Sequence, residues 1–400
     1  MSKISFYIGL TTIFFTSLIT ISIIFPGLFS FLFGNYSDTI IPTELGKYAI
    51  PIILSNFMLL TFGVMYHKKK LPISVTNNID RIRCFEISKK TSMIILLLIF
   101  LVYIGLSVQE LSLDESLQWG DYGVLKDALK IWPFGESENI FVEEQNDRYV
   151  RMFLLSTSLE FFQNIKILPF VASILVLLVT YLLTVQITNK RFAGIIAVLV
   201  LIHSNTFLKF DTIAVYENFW VLFYLLSLYI LSKRWILSPI FYLLSFFTKA
   251  FVGPFFIMTL FFALRGSYST KTKLGISISY VITVGLCIFI IFLGNTIYSD
   301  VIQIEPSKFF IGLATFAPLL RYDFFLLLTI LPVVIGLTIL SKNSSRNTES
   351  ILFLILGTLL AGPILTVFTN FYEILPYRFI PLIVFFAIGV GLFFSKKSTS

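Results

Sequence analysis

Apolar runs of about twenty residues recur from one end of this chain to the other, divided by short charged breaks. Each run is long enough to cross roughly 30 Å of hydrocarbon. Read between the breaks, they predict spans near 4–33, 48–66, 92–108, 165–188, 192–208, 212–231, 235–248, 250–264, 274–294, 322–340, 350–370 and 379–395. The fold class expected is therefore all-α, a polytopic helical membrane protein with about 12 transmembrane segments; a β-barrel would carry only weak ten-residue alternation. The first run follows Lys3, is too long for a signal peptide and lacks a small-residue cleavage site, so it reads as an anchor.

One polar segment, residues 109–164, stands out as the largest soluble piece. It carries Trp119, Tyr122, Trp132, Pro133, Phe134, Tyr149 and Phe153 among its charges. Within it, Gly123–Trp132 (GVLKDALKIW) has the spacing of a short amphipathic helix lying in the interface, with aromatics at headgroup depth.

Composition agrees with the pattern: the chain is 57% hydrophobic and 13% charged, with 45 Phe and a mean hydropathy of +0.90. Its net charge of +8 is sided. Assigning alternate loops to the cytoplasm, starting with Lys3, collects 19 of the 30 Lys and Arg there against three acids, Asp80, Glu86 and Glu349. That bias orients membrane proteins and places both termini in the cytoplasm, with 109–164 outside. The high pI thus belongs to cytoplasmic loops and gives no nucleic-acid footprint. The same rule reads 235–264 as two short helices meeting at Thr248 and Lys249, with Gly253-Pro254 close behind. A single crossing would carry Arg265, Lys271, Lys273, Lys342, Arg346, Lys396 and Lys397 to the outer face. Cys84 and Cys287 form no framework, and His67 and His203 are the only imidazoles, so a dedicated transition-metal site is not expected.

Carboxylates near hydrocarbon are costly, which makes those at span mouths candidates for chemistry. Asp114 and Glu115 follow the span 92–108, where a carboxylate could take a proton from a hydroxyl acceptor; the plainer reading is two loop charges among eleven acids. Farther along the same loop, Glu136, Glu138, Glu143, Glu144 and Asp147 read as a solvated face. Asp211 and Glu217 lie in the next outer turn, His203–Glu217, where the alternative is an ion pair with Lys209 or a neighbouring Arg. Lys249, Arg321 and Arg378 are cations set in apolar sequence and suit a lipid phosphate, as a point charge or a fork. Against that stand snorkelling and, for Arg321, pairing with Asp323. No Gly-rich phosphate loop, Ser-His-Asp grouping, zinc spacing or repeat occurs, which leaves cytosolic nucleotide hydrolysis without machinery.

The order of these features carries a resemblance. A span shortly before Asp114-Glu115, a long outer loop with an amphipathic helix, a span pair, an outer turn ending in Glu217, and Leu243–Lys249 (LLSFFTK), similar to an LxxLTKG-type stretch, follow one another. Together they resemble the GT-C glycosyltransferases, in the branch of protein O-mannosyltransferases and lipid A aminoarabinose transferases, over about residues 92–340. The resemblance implies a polyprenyl-phosphate-linked sugar donor and inverting transfer to a protein, lipid or glycan acceptor at the non-cytoplasmic face. Asp114 would match the base with Glu115 beside it, Glu217 the later outer carboxylate, and Lys249 the lysine near the lipid phosphate; Lys209, Asp211, Arg321 and Arg378 join the substrate-binding candidates. No cofactor is required, and a divalent metal is left open. The chain departs from the pattern in two preceding spans, in Ala250 where Gly is usual, and in having no large extra-membrane C-terminal domain.

On this reading the chain divides into an N-terminal two-span extension at 1–91, a catalytic module at 92–340 and a C-terminal two-span segment at 341–400. The plasma membrane of a prokaryote is the expected location. The alternatives are a transporter or lipid flippase, in which intramembrane charges and broken helices also occur, and a non-catalytic membrane subunit. Against a transporter, no second copy of the Asp-Glu loop appears.

Overall fold

A computed structural model of the chain describes residues 3–32, 41–133, 135, 139, 142, 148–293, 304–342, 346–368 and 375–395. These are helical, with no strand among them. The helices are α1 (Lys3–Ile24), α2 (Pro26–Leu32), α3 (Ala49–His67), α4 (Ile73–Cys84), α5 (Lys89–Ser107) and α6 (Asp121–Ile131). Next come α7 (Tyr149–Phe162), α8 (Ile167–Thr188), α9 (Arg191–Ile202), α10 (Asn205–Lys209), α11 (Phe219–Leu231) and α12 (Ser238–Thr248). The last are α13 (Phe255–Arg265), α14 (Thr270–Leu293), α15 (Lys308–Phe316), α16 (Phe324–Lys342), α17 (Arg346–Phe368) and α18 (Ile380–Leu392).

Among the described residues seven helices are long and apolar enough to cross a membrane, namely α1, α3, α5, α8, α14, α16 and α17; α9, α11, α12, α13 and α18 are shorter apolar helices. Phe57 on α3, Leu97 on α5 and Val281 on α14 are more than half exposed, and side chains of that kind belong against lipid. The chain has the helices of an integral membrane protein.

Three predicted spans are shorter than their apolar runs. The run 4–33 breaks at Phe25-Pro26. A proline lacks the N–H that would continue the ladder, and its ring crowds the preceding turn. The run 192–208 stops at Ile202, where the polar residues His203, Ser204 and Asn205 begin. The run 212–231 becomes helix only at Phe219, and the turn before it is irregular yet buried. The expected break at Lys249 is present. Tyr242 on α12 donates to the carbonyls of Val252 (3.2 Å) and Gly253 (2.7 Å), which ties the break to the helix before it. Lys273 in turn reaches the Leu264 carbonyl at 2.6 Å, which joins the end of α13 to the start of α14.

The chain forms two compact units, Met1–Ser92 with Thr184–Thr206 and Ile302–Ser400, and Met93–Leu183 with Phe207–Val301. They are discontinuous in sequence, whereas the segments 1–91, 92–340 and 341–400 follow charge and motif along the chain. Within the first unit several helices approach closely at glycines, as Gly9 of α1 does against Thr338 of α16. A methyl group on Gly312 of α15 would strike Thr366 of α17, so this approach admits only glycine. Pro332 inside α16 leaves the Leu328 carbonyl without its helical donor. Ser55 of α3 fills it with a hydroxyl at 3.0 Å.

Candidate functional site

The second unit gathers two segments that the sequence singles out, 109–164 and the turn up to Glu217. Residues 210–218 form an irregular turn in which every residue is buried. Buried backbone without helix or sheet partners must find side-chain ones. Glu115, 2% exposed, accepts from the Ala214 N–H at 2.7 Å and from the Val215 N–H at 3.2 Å. Arg151 on α7 holds the other side of the same dipeptide. Its Nη2 donates to the carbonyls of Val215 (2.8 Å) and Ala214 (3.4 Å), and its Nε donates to Glu217 Oε2 at 3.0 Å. Two charged side chains thus bracket one peptide unit, one through its N–H groups and the other through its carbonyls.

The segment leading to Asp114 is held in a similar way. Lys166, at the start of α8, donates to the carbonyls of Glu110 (2.7 Å) and Leu113 (2.8 Å) and lies 3.9 Å from Glu115 Oε1. Asn164 donates to the Leu111 carbonyl at 3.1 Å. Burial pushes the Glu115 carboxyl above its ordinary value, opposed by the Ala214 N–H and by Lys166. Burial likewise holds the Lys166 ammonium below its ordinary value. Desolvation thus opposes the charge on both partners, and the backbone hydrogen bonds and their mutual attraction offset it.

Asp211 closes the turn from below. Its Oδ2 accepts from Ser107 at 2.5 Å, and its carbonyl accepts from Ser173 at 2.7 Å, whose hydroxyl accepts from Asn218 at 3.0 Å. Glu110 accepts from Thr212 at 3.2 Å. Burial raises the Asp211 carboxyl to about 7, so it is part protonated at neutral pH. One oxygen of Glu217, Oε1, is buried without a hydrogen-bond partner.

The sequence-predicted residues fall into three groups. Glu115, Glu217 and Asp211 come together around the turn, although about 100 residues separate the first from the other two. Asp114 is exposed beside them and accepts from the Ser116 N–H at 2.9 Å, capping a 3₁₀ turn. That N–H holds its carboxyl below the ordinary value. Glu115 does not serve as a companion to Asp114, because its carboxylate turns inward to Ala214 and Val215. Lys209 is exposed, 5.6 Å from the Trp119 ring, and does not partner Glu217; Arg151 does, from 66 positions upstream. Lys249 is 8% exposed, with its Nζ 6.0 Å from the Trp220 ring at the α12–α13 turn.

Arg321 and Arg378 belong to the first unit. Arg321 is exposed against Tyr322. Asp323, its expected local partner, is instead buried, caps α16 through the Leu326 N–H at 3.0 Å and accepts from Ser204. Arg378 stands half-buried over the Tyr377 ring. The amphipathic helix expected at 123–132 is α6, with Tyr122, Leu125 and Ala128 buried. The acids Glu136, Glu138, Glu143, Glu144 and Asp147 lie outside the described residues. Sequence reasoning missed Arg151 and Lys166. The signal available was that both are cations beside apolar runs, as Lys249 is.

A cavity of about 410 Å³ opens between α6 and α7. Its lining includes Leu111, Leu113, Leu129 and Leu159 together with Lys126, Lys130 and Lys166. Among the described residues no group of three His, Cys, Asp or Glu side chains could hold a metal ion. The chain matches no family model, no curated protein and no solved structure.

Proposed function

We propose that this protein is a GT-C-like glycosyltransferase that moves a sugar from a polyprenyl-phosphate donor to a hydroxyl acceptor of a protein, lipid or glycan at the non-cytoplasmic membrane face. One observation carries the reading. An exposed, ionised carboxylate, Asp114, sits at the end of a segment that buried Lys166 and half-buried Asn164 hold by its carbonyls. Neighbouring Glu115 anchors the same segment to the second outer turn. A rigidly presented carboxylate is what a general base requires, and its lowered pKa keeps it ionised at some cost in proton affinity. Glu217 and Asp211 then shape the site from beneath, and the acceptor oxygen attacks the sugar carbon as the proton passes to Asp114 and the lipid phosphate departs. Lys249 would meet the charge growing on that phosphate. The count of about twelve spans, which adds the five shorter apolar helices singly to the seven long ones, belongs to the same proposal, as do cytoplasmic termini and the plasma membrane.

The break between α12 and α13 favours a second reading, a transporter or flippase, since broken helices line substrate paths. Release of sugar from a labelled polyprenyl-phosphate donor by the purified protein decides between them. Transfer or release above a protein-free control supports the enzyme, and donor binding without turnover supports the transporter.

A further inference from the structure

The cavity between α6 and α7 has a composition unlike the carboxylate cluster. Lys126 and Lys130 are one helical turn apart on α6, at i and i+4, and so project on the same side. Both are exposed at the cavity wall. Lys126 rests 4.7 Å from the Tyr122 ring, and Lys130 is 2.8 Å from Asp127 in a pair open to solvent on both sides, which screens it. The third lysine, Lys166, is committed to the backbone carbonyls of Glu110 and Leu113 and adds no free donor to the cavity. Among the described residues of its lining there is no carboxylate, although Asp114 is near enough to interact with Lys126 and Lys166, and Leu111, Leu113, Leu129, Leu159 and Ile165 make its walls aliphatic. The segments that line it also carry exposed apolar side chains, set among exposed Asp114, Asp127 and Glu160. Leu117 is 89% exposed and Phe161 78%, with Leu113 and Phe162 also more than half exposed. Side chains like these stay outside water by sitting in the membrane interface, so whatever enters the cavity arrives laterally from the bilayer.

We propose that this cavity binds the headgroup of an acidic phospholipid, with the phosphodiester between Lys126 and Lys130 and the glycerol and first acyl methylenes against the leucine walls. Lysines are point charges that suit a singly charged diester; the cavity has no guanidinium fork of the kind that grips a dianionic monoester on two oxygens. The volume of about 410 Å³ takes a headgroup and a few methylenes, leaving the acyl chains in the bilayer. The bound lipid would fix α6 to α7, and with them the segment whose last residue before Asp114, Leu113, forms part of the wall. This site stands whether or not the chain transfers sugars.

The test is equilibrium binding of radiolabelled dioctanoyl phosphatidylglycerol to the purified full chain in maltoside micelles, with dioctanoyl phosphatidylcholine as the neutral comparison. Saturable binding of the acidic lipid is expected, and Lys126→Gln with Lys130→Gln should weaken it about thirtyfold, from roughly 1 kcal/mol for each lysine near a lipid surface. Leu159→Trp fills the cavity while keeping every charge, and should weaken it as well. Three results overturn the proposal: equal binding of phosphatidylcholine, wild-type affinity in the double Gln variant, or displacement of the label by polyprenyl phosphate at far lower concentration than by phosphatidylglycerol. Sugar release measured on the same wild-type preparation keeps a failure here distinct from a failure of the glycosyltransferase reading.

Discussion

Arg151 is the residue on which the turn at 210–218 most depends, and its removal can be worked through from the geometry. The guanidinium is 2% exposed and Glu217 is 1% exposed, so neither charge is solvated. Arg151→Met leaves the Glu217 carboxyl buried without its cation, and strips the Ala214 and Val215 carbonyls of their donor. Breaking one side of a buried pair costs about 3–5 kcal/mol, and the two carbonyls, at about 1–3 kcal/mol each, overlap with that figure rather than add to it. Arg151→Lys restores charge but cannot reach Glu217 and both carbonyls from one ammonium, so about half the loss should persist. Glu217→Gln in the Arg151→Met background removes the stranded carboxyl, and the double variant should recover about 1–3 kcal/mol relative to additivity. Equilibrium unfolding in mixed micelles with increasing sodium dodecyl sulfate, followed by tryptophan fluorescence, reads these differences. An Arg151→Met protein within about 0.5 kcal/mol of wild type would refute the claim that this side chain braces the turn.

Asp114→Asn should lower turnover by about 10²–10⁴-fold with stability unchanged, because the side chain is exposed. Glu115→Gln should instead destabilise by about 1–3 kcal/mol, since an amide nitrogen cannot accept from the Val215 N–H; similar stability in the two variants would contradict the division of labour. Asp211, whose carboxyl is raised to about 7 in the folded protein, binds a proton more tightly there than in the unfolded chain. Its contribution is therefore full below about pH 4 and is lost as pH rises through about 7, and Asp211→Asn should flatten the fall in unfolding free energy over that window. Lys249→Ala should weaken donor binding, with Lys249→Arg restoring only part of it; wild-type affinity in the Ala variant returns Lys249 to a packing role. A cysteine placed at Asn139 should react with an impermeant reagent from outside, and one at Asn78 should not; the reverse pattern inverts the topology.

Much of the helical plan is legible in the sequence, because apolar run length and charge breaks act locally. The amphipathic helix α6 and the break at Lys249 are of this kind. Proline and polar punctuation is local too, yet Phe25-Pro26 and His203–Asn205 are swamped when a long window averages over them. The helix α7 has no clear apolar stripe, so its periodicity gives no signal. The site is legible in its members and not in its wiring. That Asp114 and Glu115 are adjacent says nothing of which one turns inward. The decision lies with two backbone N–H groups about 100 residues downstream. Glu217 likewise announces a need for a cation without identifying Arg151, since many sequence distances satisfy the same need.

The bracketing of Ala214 and Val215 also has a direction in time. Glu115, Arg151 and Lys166 all precede the turn they hold, so during synthesis the clamp emerges before the peptide it closes on. Until residues 210–217 follow, a buried acid and a buried guanidinium have nothing to grip, and the nascent outer segment carries exposed charges and apolar rings together. Domains that form in the order of synthesis expose such surfaces only transiently. A chain halted between residues 166 and 210 would keep them exposed, which makes that interval the stretch where a stalled intermediate is most open to proteases and to chaperones at the membrane.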